Sequence, residues 1–136
     1  MVKTQFSISL HILTLLALFK DEWHTSTHIA GSLNINPVLV RKELINLKNG
    51  GLIESKEGKN GGVRLLKSAN DILLSDIFQL AKGDDNVLSL SSNTPNPKCP
   101  VGRQINDKLK VVFEAIDDSI VSKLHEQTLE SFKNQF

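Results

Sequence analysis

Residues 25–66 read TSTHIAGSLNINPVLVRKELINLKNGGLIESKEGKNGGVRLL, and the order of signals along this stretch decides the fold. Thr25 is a helix-capping residue type, and Ile29, Ala30 and Leu33 follow it at three- and four-residue steps, which predicts a short helix with one inward face. Asn34 marks a turn. Asn36 and Pro37 then restart the chain with a cap and a proline at the first helical position, and Val40, Leu44 and Leu47 carry a second apolar stripe to Gly50 and Gly51. Residues 52–55 read as a strand, 56–62 as a glycine-rich turn and 63–66 as the returning strand. Helix, short turn, helix and then a hairpin with a basic tip is the winged-helix order, which sets the second helix in the DNA major groove and the hairpin on phosphates or the minor groove.

Working outward, residues 6–19 (FSISLHILTLLALF) form a helix whose apolar stripe, Phe6, Leu10, Leu13, Leu16 and Ala17, is widened by Ile8, Ile12, Leu15 and Phe19. So broad a face calls for two partners, the domain core and a second subunit. The segment imitates a secretory signal, but it is too short to span a bilayer, and Asp21 and Glu22 follow it without a cleavage pattern. It reads as a buried helix of a cytoplasmic protein, with His11 in the core or at an interface. Toward the C-terminus a helix begins near Ser75 and carries Ile77, Phe78, Leu80 and Ala81 to Gly83, after which periodicity is lost. Val101, Ile105, Leu109, Val112, Ile116, Ile120 and Leu124 then mark one face of a helix about 36 Å long, more than the head requires. Leu109, Val112, Ile116 and Ile120 are the expected homodimer contact, and Thr128 to Phe136 a short amphipathic turn. The expected division is a DNA-binding unit over 1–83, a linker and sensing loop over 84–100, and a dimerisation helix with its tail over 101–136. The fold class is mainly α with one small β-hairpin.

At 136 residues the chain has room for one domain and an extra element, and 40% hydrophobic with 23% charged residues suits a soluble, core-forming protein. The net charge of +1 hides an asymmetry: nine Lys/Arg stand against five Asp/Glu up to Lys67, and seven against ten beyond it. The N-terminal half is thus the nucleic-acid face. The single cysteine, Cys99, excludes an internal disulfide and a multi-cysteine metal cage. His24 and His28 have no third ligand nearby, so no metal or cofactor is implied, and Asp117, Asp118, Glu126 and Glu130 read as helix surface. P-loop, G-x-S-x-G, H-E-x-x-H and G-x-G-x-x-G patterns are absent, which leaves an enzyme reading without support.

The residues 35–37 leading into the second helix, 51–55 after it, the tip 58–62, the segment 72–77 and Thr128-Leu129 together resemble the Rrf-type family of bacterial winged-helix regulators, to which IscR, NsrR and CymR belong. The resemblance covers nearly the whole chain and implies a DNA-binding transcription regulator, with the long helix as its dimerisation helix. Where the family's wing has an Arg before its first glycine and an aromatic after the glycine pair, this chain has Glu57 and Val63. Cluster-binding members place three cysteines ahead of the long helix, and only Cys99 stands here, so the resemblance is closer to the cluster-free, YwnA-like branch, some of whose relatives answer oxidants through cysteine.

Duplex binding needs cations and N–H groups at phosphates and side chains that reach base edges. Thr25, Ser26 and Thr27 open one helix and face phosphate oxygens. Asn36, Val38, Leu39, Arg41 and Lys42 lie on the early turns of the next, with Asn36 and Arg41 as base contacts. Lys48, Lys56, Lys59, Asn60 and Arg64 grip the backbone. Trp23 packs at the start of its helix. Cys99, between Lys98 and Pro100 at a helix start, is either a redox-sensing thiolate or a small buried residue. The expected partners are a double-stranded operator and a second copy of the chain, with no membrane. The whole reads as a homodimeric repressor, the other reading being a winged-helix module that binds protein without DNA.

Overall fold

In the computed structural model the core is built around α1 (Val2–Leu18). The structure describes residues 2–136, with side-chain surroundings from Thr4 onward; Met1, where the expected 1–83 unit begins, lies outside the described residues. Ile12, Leu13, Leu16 and Ala17 are buried. The wide apolar face is met within the chain, by α2 (Ser26–Leu33), α3 (Pro37–Asn49), α4 (Leu74–Lys82) and, past the long α5 (Pro100–Leu124), by α6 (Leu129–Lys133). Phe6 meets Phe78 of α4 edge to face, ring centroids 5.9 Å apart. His11 does not enter the core: it is exposed, and its Nε2 lies 2.9 Å from Ser32 Oγ at the end of α2.

The helix–turn–helix forms for the local reasons its residue types give. Thr25 Oγ1 accepts from His28 N at 3.1 Å, Asn34 closes α2 in the left-handed conformation that asparagine tolerates, and Asn36 Oδ1 accepts from Val38 N at 2.9 Å. Ile29, Ala30, Val40, Leu44 and Leu47 are buried. The inner face of α3 also buries Glu43, whose Oε1 accepts from Ser9 Oγ of α1 at 3.1 Å and from Asn46 Nδ2 at 3.4 Å; Asn46 donates as well to the Leu80 carbonyl of α4 at 3.2 Å. A carboxylate can sit there because its oxygen is bonded. These bonds fix the roll of α3, and so which of its side chains face out.

Strands β1 (Ile53–Lys56) and β2 (Gly62–Leu65) form the antiparallel hairpin, with Ile53 opposite Leu65 and Lys56 opposite Gly62. The ladder sits one pair closer to the tip than expected, because the Leu52 N–H closes α3 on the Leu47 carbonyl at 3.1 Å. His24 adds a one-residue third strand: its N–H donates to the Val63 carbonyl at 2.9 Å and its carbonyl accepts from Val63 N at 2.8 Å.

A short 3-10 turn, Ala69–Asp71, leads to α4, and 84–99 runs without regular structure to α5. The chain then returns: Leu129 N donates to the Ile72 carbonyl at 2.8 Å, Leu74 N to the Gln127 carbonyl at 2.9 Å, and Leu129 is fully buried in the core. Phe113 and Asp117 are the buried residues of α5, which packs on α4. Asp117 therefore corrects the surface reading given to it. Its Oδ2 accepts from Asn86 Nδ2 at 2.7 Å and lies 3.8 Å from Lys82 Nζ, and its Oδ1 accepts from Val87 N at 3.3 Å, so it ties the start of 84–99 to both helices. Among the described residues no helix is long and apolar enough to cross a membrane.

Candidate nucleic-acid interface

With Glu43, Leu44 and Leu47 turned inward, α3 presents to solvent Val38, Lys42, Ile45 and Asn49, residues at three- and four-residue steps that form one row. Leu39 flanks this row on one side. On the other, Arg41 and Lys48 line a groove of about 350 Å3 between α3 and the hairpin, walled by Ser26, Ser55 and Val63. Both cations are already oriented by neighbours: Arg41 Nε donates to Ser26 Oγ at 3.2 Å and Lys48 Nζ to Ser55 Oγ at 2.7 Å. Arg41 is exposed, and its bond to Ser26 uses Nε and not the terminal guanidinium nitrogens. Asn36 is exposed with its Oδ1 used in capping, which leaves its amide to donate.

At the wing tip Lys56, Lys59 and Asn60 are exposed. Arg64 is placed differently from those three. It sits opposite Glu54 across the hairpin, with Nε 3.2 Å from Glu54 Oε1, and its guanidinium lies 4.2 Å from the centroid of the Trp23 ring, which also has Lys56 Nζ at 5.8 Å. Trp23 thus holds the wing from behind. Thr25 and Thr27 are exposed at the start of α2, where the helix end carries partial positive charge, and Ser26 is half-buried against Arg41. Ile45 was not singled out by sequence reasoning. Its signal is an aliphatic residue off the Val40, Leu44 and Leu47 stripe, among the cations.

Cys99 is exposed at the N-cap of α5, which removes the buried reading. The backbone N–H of Gly102 and then that of Val101, at the start of α5, lower the pKa of its thiol below the ordinary thiol value by favouring the thiolate. Lys98 N donates to Asn96 Oδ1 at 2.9 Å and Cys99 N to the Asn96 carbonyl at 3.2 Å; a Cβ on Gly102 would strike that carbonyl, so the loop lies directly on the first turn of α5. Iodoacetamide alkylation of Cys99, followed against pH, is expected to reach its half-maximal rate at lower pH in the folded protein than in the same chain in urea. Coincident curves would show that the first-turn N–H groups do not hold the thiolate. Along α5, Leu109, Ile116 and Ile120 are half-buried, and Val111 and Val112 are exposed.

The sequence profile of the family Rrf2, described as an iron-dependent transcriptional regulator, matches residues 2–135. YwnA of Bacillus subtilis (strain 168), provisionally described as an HTH-type transcriptional regulator, is 32% identical over 134 residues, 98% of this chain and 98% of YwnA. Among solved structures, a provisionally described transcriptional regulator from Lactobacillus plantarum superposes with a TM-score of 0.80 at 26% identity, covering 97% of this chain and 89% of that one. CymR of B. subtilis, the global cysteine regulator, shares the fold, with a TM-score of 0.70 at 22% identity over 98% of this chain and 95% of its own. The iron in the family's description has no donor set to match it: among the described residues no three His, Cys, Asp or Glu side chains converge, and Cys99 stands alone.

Proposed function

The chain belongs to the Rrf2 family of transcriptional regulators, and on that premise we propose that it is a cytoplasmic, homodimeric repressor that reads an operator of two half-sites through α3 and the wing. The observation that carries this reading is the outward face of α3, where Arg41 and Lys42 stand beside exposed Val38 and Leu39 and above a groove shared with the hairpin. In this reading Asn36, Val38, Leu39, Arg41 and Lys42 meet base edges, Arg41 taking a guanine with two bonds. Thr25, Ser26 and Thr27 meet phosphate at the start of α2, and Lys48, Lys56, Lys59 and Asn60 hold the backbone. Arg64 shares its charge with the Glu54 carboxylate and lies over the Trp23 ring, so it adds least. Residues 1–83 are the head, and 101–136 carry the dimer contact through Leu109, Val112, Ile116 and Ile120. That pairing would set the two copies of α3 about one or more helical turns of DNA apart.

The loop over 84–100 would be where a signal acts. The Cys99 thiolate attacks a low-molecular-weight disulfide, one sulfur of which bonds to Sγ while the other leaves as thiolate. The adduct disturbs the seat of Asn96 on Gly102 and with it the loop that joins head to dimer helix.

The test is an anisotropy titration against the DNA upstream of the protein's own gene at two salt concentrations. The expected result is two chains per site, affinity that falls steeply with salt, and a loss of about tenfold in Arg41→Ala, the scale of one base contact. Binding no tighter than to random duplex and indifferent to Arg41→Ala would overturn the reading.

A further inference from the structure

The solvent face of α3 is unusual for a helix among phosphates. Val38 is 61% exposed, Leu39 51% and Ile45 63%, so most of each aliphatic side chain is left to solvent. The polar capacity around them is partly spent. Asn36 Oδ1 caps the helix, Arg41 Nε is bonded to Ser26, Lys48 to Ser55, and Asn46 is turned in toward Glu43 and Leu80. The first two turns hold no Asn or Gln, and the Oδ1 of Asn36 at the cap is engaged by Val38 N, so the paired amide bonds that read adenine are not available there. What the row offers is aliphatic carbon, carried into a polyanion by the flanking Arg41, Lys42 and Lys48.

The major groove has one apolar group at its base edges, the C5-methyl of thymine. We propose that Val38, Leu39 and Ile45 recognise thymine methyl groups, so that α3 reads the thymine side of A·T pairs by apolar contact. The proposal rests on the DNA-reading function above and names what that site selects. Val38 and Ile45 are seven residues apart on one face, about 10 Å along the helix axis. That is the rise of about three base pairs, so two selected thymines are expected about three pairs apart in each half-site.

The experiment selects duplexes from a randomised pool with the purified protein, then replaces the enriched thymines one at a time by deoxyuridine, which pairs identically and lacks only the methyl. The expected result is enrichment of thymine at that spacing and about a fourfold loss of affinity for each contacted methyl removed, the effect of returning one buried carbon to water. Val38→Ala, a change at a side chain outside the core, should narrow the preference of one thymine over deoxyuridine and leave the salt dependence as it was. A selected sequence bound equally with thymine and deoxyuridine overturns this inference and leaves DNA reading intact. Absence of salt-dependent binding to any duplex overturns both, and the aliphatic row would then belong to a protein partner.

Discussion

Asp117→Ala is expected to lower the stability of the chain by about 2–3 kcal/mol in urea unfolding, several times the effect of an ordinary surface substitution. Asp117 is 3% exposed, and its carboxylate holds three groups: the Asn86 side-chain amide, the Val87 N–H and the Lys82 ammonium. Alanine removes the acceptor and leaves the amide and the N–H without partners. Lys82 is 22% exposed at its side chain and can turn to water, which keeps the loss below that of a fully enclosed ion pair. Asp117→Asn should cost less than alanine, because an amide oxygen can still accept one of the two bonds. Amide exchange at Val87 should rise in the alanine variant even under conditions where the head remains folded, since the bond lost is the one that pins the start of 84–99. A loss under about 0.5 kcal/mol, the range of exposed sites, would show that Asp117 is no anchor.

That anchor was invisible in the sequence for a physical reason. Asp117-Asp118 on a long helix looks like a solvated face, and the partners of Asp117 lie about thirty positions upstream in a segment without periodicity. Phe113 escaped for a related reason: it stands beside the stripe of Leu109, Val112, Ile116 and Ile120, and it is buried because α4 happens to lie on that side. The stripe itself stays partly open in a single chain. By contrast, α2 and α3 were legible almost to the residue, because Thr25, Asn34, Asn36, Pro37 and Gly50 act locally, through caps, a left-handed turn and a fixed φ. The residues proposed to face DNA fall between these cases. That Arg41 and Lys42 face outward follows from the helical period, and that Lys56 and Lys59 do follows from their place at the tip of the hairpin. That Arg64 meets Glu54 and Trp23 follows from cross-strand register and from a side chain forty positions away, which charge counting does not contain.

The third strand was equally hidden, since one residue has no alternation to detect, and it leads to the strongest expectation about a single glycine. Gly62→Ala should lower stability by about 3 kcal/mol, whereas Gly31→Ala, the same added methyl, should raise it by about 0.5–1 kcal/mol. Gly62 has φ +147°, a conformation side chains rarely adopt, and a Cβ there would lie 2.5 Å from the His24 carbonyl oxygen and 2.9 Å from its nitrogen. Relief requires the backbone around His24 to move. That movement strains the two bonds between His24 and Val63 at 2.9 and 2.8 Å, each worth about 1 kcal/mol, on top of about 1–3 kcal/mol of backbone strain. Gly31 lies inside α2 with open space where its Cβ would be, so alanine there only reduces the freedom of the unfolded chain and favours the helix. Because His24 bridges directly to the wing and leads into α2, Gly62→Ala should also weaken duplex binding beyond any effect of Lys56→Ala at the tip, by misplacing the hairpin against α3. Paired urea curves for the two glycine variants decide the matter: shifts of the same sign would mean that contact with His24 does not control the wing.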